Sequence, residues 1–166
     1  MTLDDIDVFV FDFDGVLTNN NVHIDENGKE SVSCSRADGL AFDVLKKLNK
    51  PVYILSTEKN PVVKARAKKL NIPAIQGISN KAEAIKELAD ENHYNLKNIL
   101  YAGNDLNDYL VIQLCGYSVC PADSHPKIKK ISDICLNTNG GNGVVRELLE
   151  EVLNIDFIKI LYKVNS

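Results

Sequence analysis

The sequence predicts an α/β protein: a three-layer, doubly wound, mostly parallel sheet with helices on both faces and one small β-hairpin. Three observations predict it. Short apolar runs, Val8–Phe11 and Val52–Leu55 among them, read as strands buried on both faces. Segments with helical spacing separate these runs, as Leu40, Ala41, Val44, Leu45 and Leu48 do. Strands alternating with helices imply parallel pairing and right-handed crossovers.

The elements follow in order. Val8–Phe11 is the first strand, closed by a carboxylate. Val22–Cys34 alternates weakly around Glu26-Asn27-Gly28, a hairpin signal. A helix is expected over Asp38–Leu48, broken by Pro51, and a strand over Val52–Leu55. Pro61 suits the first turn of a helix running to Leu70. Ala74–Gln76, Ile99–Ala102, Tyr117–Val119 and Ile134–Leu136 are short strands; Lys81–Glu91 and Tyr109–Cys115 are helices. Gly140–Gly143 forms a glycine-rich loop before a last long helix, Val144–Leu153. The chain of 166 residues is expected to form one domain, 1–166, with only the tail after Asp156 separable from the core.

Composition excludes several classes. A formal net charge of −4 carries no basic patch for nucleic acid. No apolar run is long enough for a bilayer, and the acidic start MTLDDID is neither a signal nor a transit peptide. Cys34, Cys115, Cys120 and Cys135 form no CxxC pair and no zinc spacing with His, and read as reduced, mostly buried thiols of a cytoplasmic protein.

The residues with chemical capacity lie just past strand ends, where ligands of such sheets bind. Asp12 and Asp14 follow the first strand, Ser56 and Thr57 the second, Lys81 the third, and Asn104, Asp105 and Asp108 the fourth. Each has an ordinary reading on its own. Paired aspartates cap turns, serines cap helices, and lysines stay on the surface. Together they suit attack on a phosphate ester. Asp12 would be a carboxylate nucleophile. Asp14 would protonate the leaving oxygen and later activate water. Ser56 and Lys81 would grip phosphate oxygens, and Mg2+ on oxygen ligands would offset the carboxylate–phosphate repulsion.

DFDGVLT, the hydroxyl at Ser56, the amine at Lys81 and GNDLND together resemble the haloacid dehalogenase phosphatase superfamily, over Val8 to about Leu149. The short hairpin, and the short span from Ser56 to Lys81, leave no room for a cap domain. SRADGL, LSTEKNPVV, IQGISNK, PADSHP and GGNGVVREL resemble its capless branch of 3-deoxy-octulosonate 8-phosphate and nonulosonate 9-phosphate phosphatases. Similar sequence also occurs joined to acylneuraminate cytidylyltransferases, so association with such an enzyme is a further expectation. The resemblance implies Asp12 as nucleophile, Asp14 as acid/base, and Ser56 and Lys81 as phosphate ligands. It implies Mg2+ on the Asp12 carboxylate, the Asp14 backbone carbonyl and the Asn104–Asp108 motif. It further implies a homotetramer whose hairpins associate, with a neighbouring subunit covering each site.

Two departures from the family pattern stand out. Asn104 replaces the usual aspartate and removes one charge from the metal site; Asp105 or Asp108 would compensate, directly or through water. Thr57-Glu58 stands where octulosonate phosphatases tend to have Gly-Arg. Glu58 there, and Lys69 further down the helix, resemble the nonulosonate-type members and point to a nine-carbon phosphorylated sugar acid. Both charges would otherwise be a solvated helix face. Gly140, Gly141 and Gly143 are expected to form a lid-like segment or a helix entry, Arg146 has no catalytic assignment, and His125 before Pro126 reads as a turn residue. The competing functions are a non-catalytic assembly or regulatory domain and a phospho-accepting receiver. The receiver requires an aspartate after the third strand, where Ala74-Ile75-Gln76-Gly77 has none.

Overall fold

A computed structural model describes residues 1–163; the last three positions of the expected domain lie outside the described residues. The main sheet has six parallel strands: β1 (Val8–Phe11), β4 (Val52–Ser56), β5 (Ala74–Gln76), β6 (Ile99–Ala102), β7 (Tyr117–Cys120) and β8 (Ile134–Cys135). Their spatial order is β5-β4-β1-β6-β7-β8. The chain leaves β1 toward β4 and β5, then crosses to build β6, β7 and β8 on the other side. That reversal opens a crevice at the carboxyl end of β1, the central strand.

Side-chain alternation along β1 divides the core in two. Phe9 and Phe11 face the layer of α1 (Arg36–Lys47), α2 (Val62–Leu70), α6 (Val144–Glu147) and α7 (Phe157–Tyr162). Val8 and Val10 face α3 (Lys81–Asn92), α4 (Tyr109–Leu114) and α5 (Pro126–Ile131). Phe11 meets Phe42 of α1 edge to face, with ring centroids 5.5 Å apart. Because both faces are covered, β1 and β6 are wholly buried, which is why they read as unbroken apolar runs.

The hairpin is shorter than its sequence pattern suggests. β2 (His23–Ile24) and β3 (Glu30–Ser31) pair antiparallel for two residues each, and a bridge from Thr18 to Cys34 closes the base. Asp25 Oδ1 accepts from the N–H groups of Asn27 and Lys29, and Gly28 takes the positive φ of 75° that the turn requires. No cap domain stands between β1 and α1 or between Ser56 and Lys81 among the described residues. None of their helices is long and apolar enough to cross a membrane.

Three expectations are corrected. The tail after Asp156 is not separable: Phe157 is buried under the Arg146 guanidinium, 4.6 Å from its ring centroid, and Lys47 Nζ donates to the Leu161 carbonyl. The expected single helix over Val144–Leu153 is α6 followed by a wider π turn at Leu148–Val152. Of the cysteines, all free, only Cys115 and Cys120 are buried; Cys34 is half-buried and Cys135 exposed.

Candidate active site

β1 ends at Asp12, where extended backbone turns sharply through Asp14 and Gly15. Asp12 is 4% exposed, and its Oδ1 accepts from the Phe13 N–H at 2.7 Å and from Lys81 Nζ at 2.8 Å. Oδ2 is therefore the oxygen left to a ligand. Gly15 has φ +81°, and a Cβ there would collide with the Asn104 carboxamide. Only glycine lets the turn after β1 and the loop after β6 come this close. Thr18 Oγ1 closes the turn by accepting from the Gly15 and Asn20 N–H groups.

Lys81 opens α3 and is 3% exposed, not the surface lysine its type suggests. Besides Asp12, its ammonium meets Asp108 Oδ1 at 2.6 Å. Asp108 Oδ1 also accepts from the Tyr101 hydroxyl at 2.6 Å, and Oδ2 accepts from the N–H groups of Asn104 and Asp105. A carboxylate offers about four acceptor positions, and all four of Asp108 are filled by protein. The structure thus gives Asp108 the part of an anchor for Lys81 and the 104–108 loop. Direct metal ligation is closed to it. Tyr101, missed in the sequence, has one signal there: a polar tip inside a buried run.

An open cleft of about 270 Å³ is lined by Asp12, Asp14, Asn20, Ser56, Thr57, Asn104 and Asp105, and extends to Leu106 and Asn107. Ser56 Oγ accepts from the Glu58 N–H at 3.1 Å, so its own O–H is available to an oxygen in the cleft. Asp105 Oδ1 caps the turn at Leu106. Asn20, with φ 63°, was also missed; the TNNN run gives no periodic signal. His125 accepts from the Lys127 N–H as the cap of α5, and its own N–H ties to the Asn104 carbonyl.

The electrostatics separate the carboxylates. Burial, then the Asp108 carboxylate, push the Asp12 carboxyl upward against the pull of Lys81. Burial opposes the Lys81 charge, but Asp12 and Asp108 outweigh it and hold the ammonium above its usual range. Burial and then Glu58 raise Asp14. Glu58 stands beside the cleft, its Oε1 occupied by the Lys59 and Asn60 N–H groups.

Lys69 is not brought to this cleft. α2 begins near the carboxyl edge of the sheet and runs away from it, so Lys69 lies roughly 10 Å further along at about 1.5 Å per residue. It lines a separate hollow with Arg36, Asp43 and Arg66.

Among the described residues, no three His, Cys, Asp or Glu side chains form a metal-binding group. Three carboxylates, Asp12, Asp14 and Asp105, do line the cleft beside Asn104. Asn104 Oδ1 is buried without a hydrogen-bond partner, a condition that costs free energy unless another group satisfies it. Carboxylate and amide oxygens around an open position fit a hard divalent cation that keeps several waters.

A doubly wound sheet with an aspartate pair at its central strand, a buried lysine and an acidic loop defines a class, and comparison with known proteins identifies it. A family model for haloacid dehalogenase-like hydrolases matches residues 46–148, and the chain belongs to that family. Within it, the chain sits among the phosphatases. It is 32% identical over 151 residues to the 3-deoxy-D-manno-octulosonate 8-phosphate phosphatase of Salmonella typhi, covering 90% of this chain and 80% of that protein. A HAD family hydrolase from Streptomyces avermitilis superposes with a TM-score of 0.89 at 41% identity, over 90% of this chain and 86% of that one. The octulosonate phosphatase of Moraxella catarrhalis, solved with magnesium, phosphate and KDO, gives a TM-score of 0.86 at 29% identity, over 90% and 87%.

Proposed function

We propose that the chain hydrolyses the phosphate ester of a 2-keto-3-deoxy sugar acid with Mg2+, through an aspartyl-phosphate on Asp12. The observation that carries this reading is the Lys81 ammonium clamped between Asp12 and Asp108, beside a cleft whose remaining lining is oxygen-rich. Asp12, Asp14 and Asn104 are the residues that would hold the ion, with Asp105 reaching it through water. When bound, Mg2+ supplies charge neutralisation between the carboxylates and the phosphate.

The protein's own residues account for the rest. Lys81 uses two of its three N–H donors on carboxylates and has one for a phosphoryl oxygen. Ser56 donates to a second. Phe13 N–H and Lys81 fix the Asp12 carboxylate, which attacks phosphorus as the bond to the sugar oxygen breaks. Asp14, raised by burial and Glu58, gives its proton to that leaving oxygen. It then takes a proton from the water that attacks phosphorus and releases Asp12. This intact set favours an enzyme over an assembly domain.

A nonulosonate 9-phosphate is the preferred substrate, with 3-deoxy-D-manno-octulosonate 8-phosphate next. Thr57 lines the cleft, and Glu58, next to it in the chain with Oε1 taken by the Lys59 and Asn60 N–H groups, would use its other carboxylate oxygen to accept from a hydroxyl of the longer chain. Lys69, with Arg66 and Arg36, supplies cations for a sugar carboxylate only if a neighbouring subunit of a homotetramer presents them. Steady-state kinetics on both esters test this. A higher kcat/KM for the nine-carbon ester, reversed by Glu58→Arg, is expected; equal or better turnover of the eight-carbon ester by the unaltered chain overturns the preference.

A further inference from the structure

Among the described residues, one buried carboxylate belongs neither to the cleft lining nor to the Lys81 network. Asp38, in the first turn of α1, is 1% exposed. Its Oδ1 accepts from the N–H groups of Val145 at 2.8 Å and Arg146 at 3.2 Å. These are the second and third N–H groups of α6, whose own cap residue, Gly143, has φ +106° and no side chain to offer. Asp38 is thus a helix cap supplied from a helix more than a hundred residues away in sequence.

The segment it holds abuts the catalytic turn. Gly141 N–H donates to the Val16 carbonyl at 2.9 Å. A Cβ on Gly140 would collide with the Gly15 carbonyl oxygen, and one on Gly141 would stand 2.5 Å from Asn19 N. Gly140 N–H donates in turn to Asp123 Oδ1 at 2.9 Å. Backbone therefore presses on backbone along Gly15 to Asn19, immediately after Asp14, with no flexible side chain between to absorb a shift. The loop is pinned from three directions: by Val16, by Asp123 and, through α6, by Asp38.

We propose that Asp38 is a positioning residue for the reaction: by capping α6 it seats the Gly140–Gly141 backbone against the turn at Gly15–Val16 and so fixes the reach of Asp14. The inference rests on the reading of Asp14 as the proton donor to the leaving oxygen. Removing the cap lets the loop retreat and the turn relax, and a displacement of about 1 Å at a proton donor costs on the order of 10- to 100-fold in rate.

The test compares two esters by kcat/KM, which reports the steps through cleavage of the ester bond. p-Nitrophenyl phosphate has a good leaving group and needs little protonation; 3-deoxy-D-manno-octulosonate 8-phosphate has an alkoxide leaving group and depends on Asp14. Asp38→Ala is expected to lose about tenfold more on the sugar ester than on the aryl ester. Asp38→Asn keeps an acceptor oxygen for Val145 and Arg146, and is expected to stay within about twofold of the unaltered protein on both. Gly140→Ala, which drives a methyl between loop and turn, gives a second perturbation and the same ester-selective loss should Asp38→Ala fail to fold. Leu45→Ala, in the same helix but two turns deeper, lowers melting temperature without ester selectivity. Equal loss on both esters in Asp38→Ala and Gly140→Ala, or no loss, overturns the inference. Asp14→Asn is the reference: if it too lacks ester selectivity, the reading of Asp14 has failed, and not the role of Asp38.

Discussion

Asp108 and Asp12 share one lysine, yet replacing them should have opposite consequences. Asp108→Ala leaves the buried Lys81 ammonium with Asp12 alone and orphans the Tyr101 hydroxyl and the Asn104 and Asp105 N–H groups. Breaking one side of a buried pair costs about 3–5 kcal/mol, and each orphaned donor adds roughly 1–3 kcal/mol where water does not reach it. Relaxation makes these terms less than additive, so a loss of about 4 kcal/mol is a working floor. For a chain of this size that is a fall of roughly 8–16 °C in melting temperature. Asp12→Asn leaves Lys81 its stronger partner and removes a carboxylate that burial already disfavours, so its stability should stay within about 1 kcal/mol of the unaltered protein. Its turnover should vanish. Urea titration followed by circular dichroism, with phosphate release measured on the same samples, gives both readouts. A loss below about 1 kcal/mol for Asp108→Ala would refute the anchoring role assigned to its four hydrogen bonds.

Other substitutions probe separate links. Asn104→Asp restores a charge at the orphaned amide oxygen and should lower the Mg2+ concentration for half-maximal activity several-fold, while chelation by EDTA abolishes activity reversibly. Gly15→Ala should cost about 1 kcal/mol or more through its positive φ and should also displace Asn104, weakening Mg2+ dependence and rate together. Asp38 gives a pH signature in stability. Burial raises its pKa from 3.8 to about 6, against the Arg146 and Val145 N–H groups and the Arg66 guanidinium. Between those values the folded state binds more protons than the unfolded one, so this group's contribution falls as pH rises from about 4 to about 6 and is flat above. The full span is about 3 kcal/mol, and Asp38→Asn should flatten it in urea titrations across that range.

The sheet was legible because its strands are buried on both faces: VFVF and VYIL can be little else when helical periods separate them. Their carboxyl ends then pointed to Asp12, Ser56, Lys81 and Asn104 without any coordinates. Two short helices were not legible: α5 and α7 hold six residues each, and neither carries enough apolar repeat for a 3.6-residue period to declare itself. The tail looked separable because Phe157 is its only buried side chain among the described residues, and burial of one aromatic leaves no pattern. Lys69 was grouped with Glu58 by resemblance alone; between the parallel strands β4 and β5, α2 has to run back from the carboxyl edge, and that carries Lys69 out of its own chain's cleft. The part of Asp38 depends on partners more than a hundred residues away, for which sequence holds no local sign, and Tyr101 showed only a polar tip inside an apolar run.

The central claim is that phosphorus passes through Asp12. Rapid acid quench of a single turnover, with excess protein, Mg2+ and a phosphoryl-labelled substrate, followed by peptide mapping, tests it most directly. Transient, hydroxylamine-labile label is expected on the peptide containing Asp12, and none in Asp12→Asn. Full turnover with no label on that peptide, or continued hydrolysis by Asp12→Asn, would contradict it.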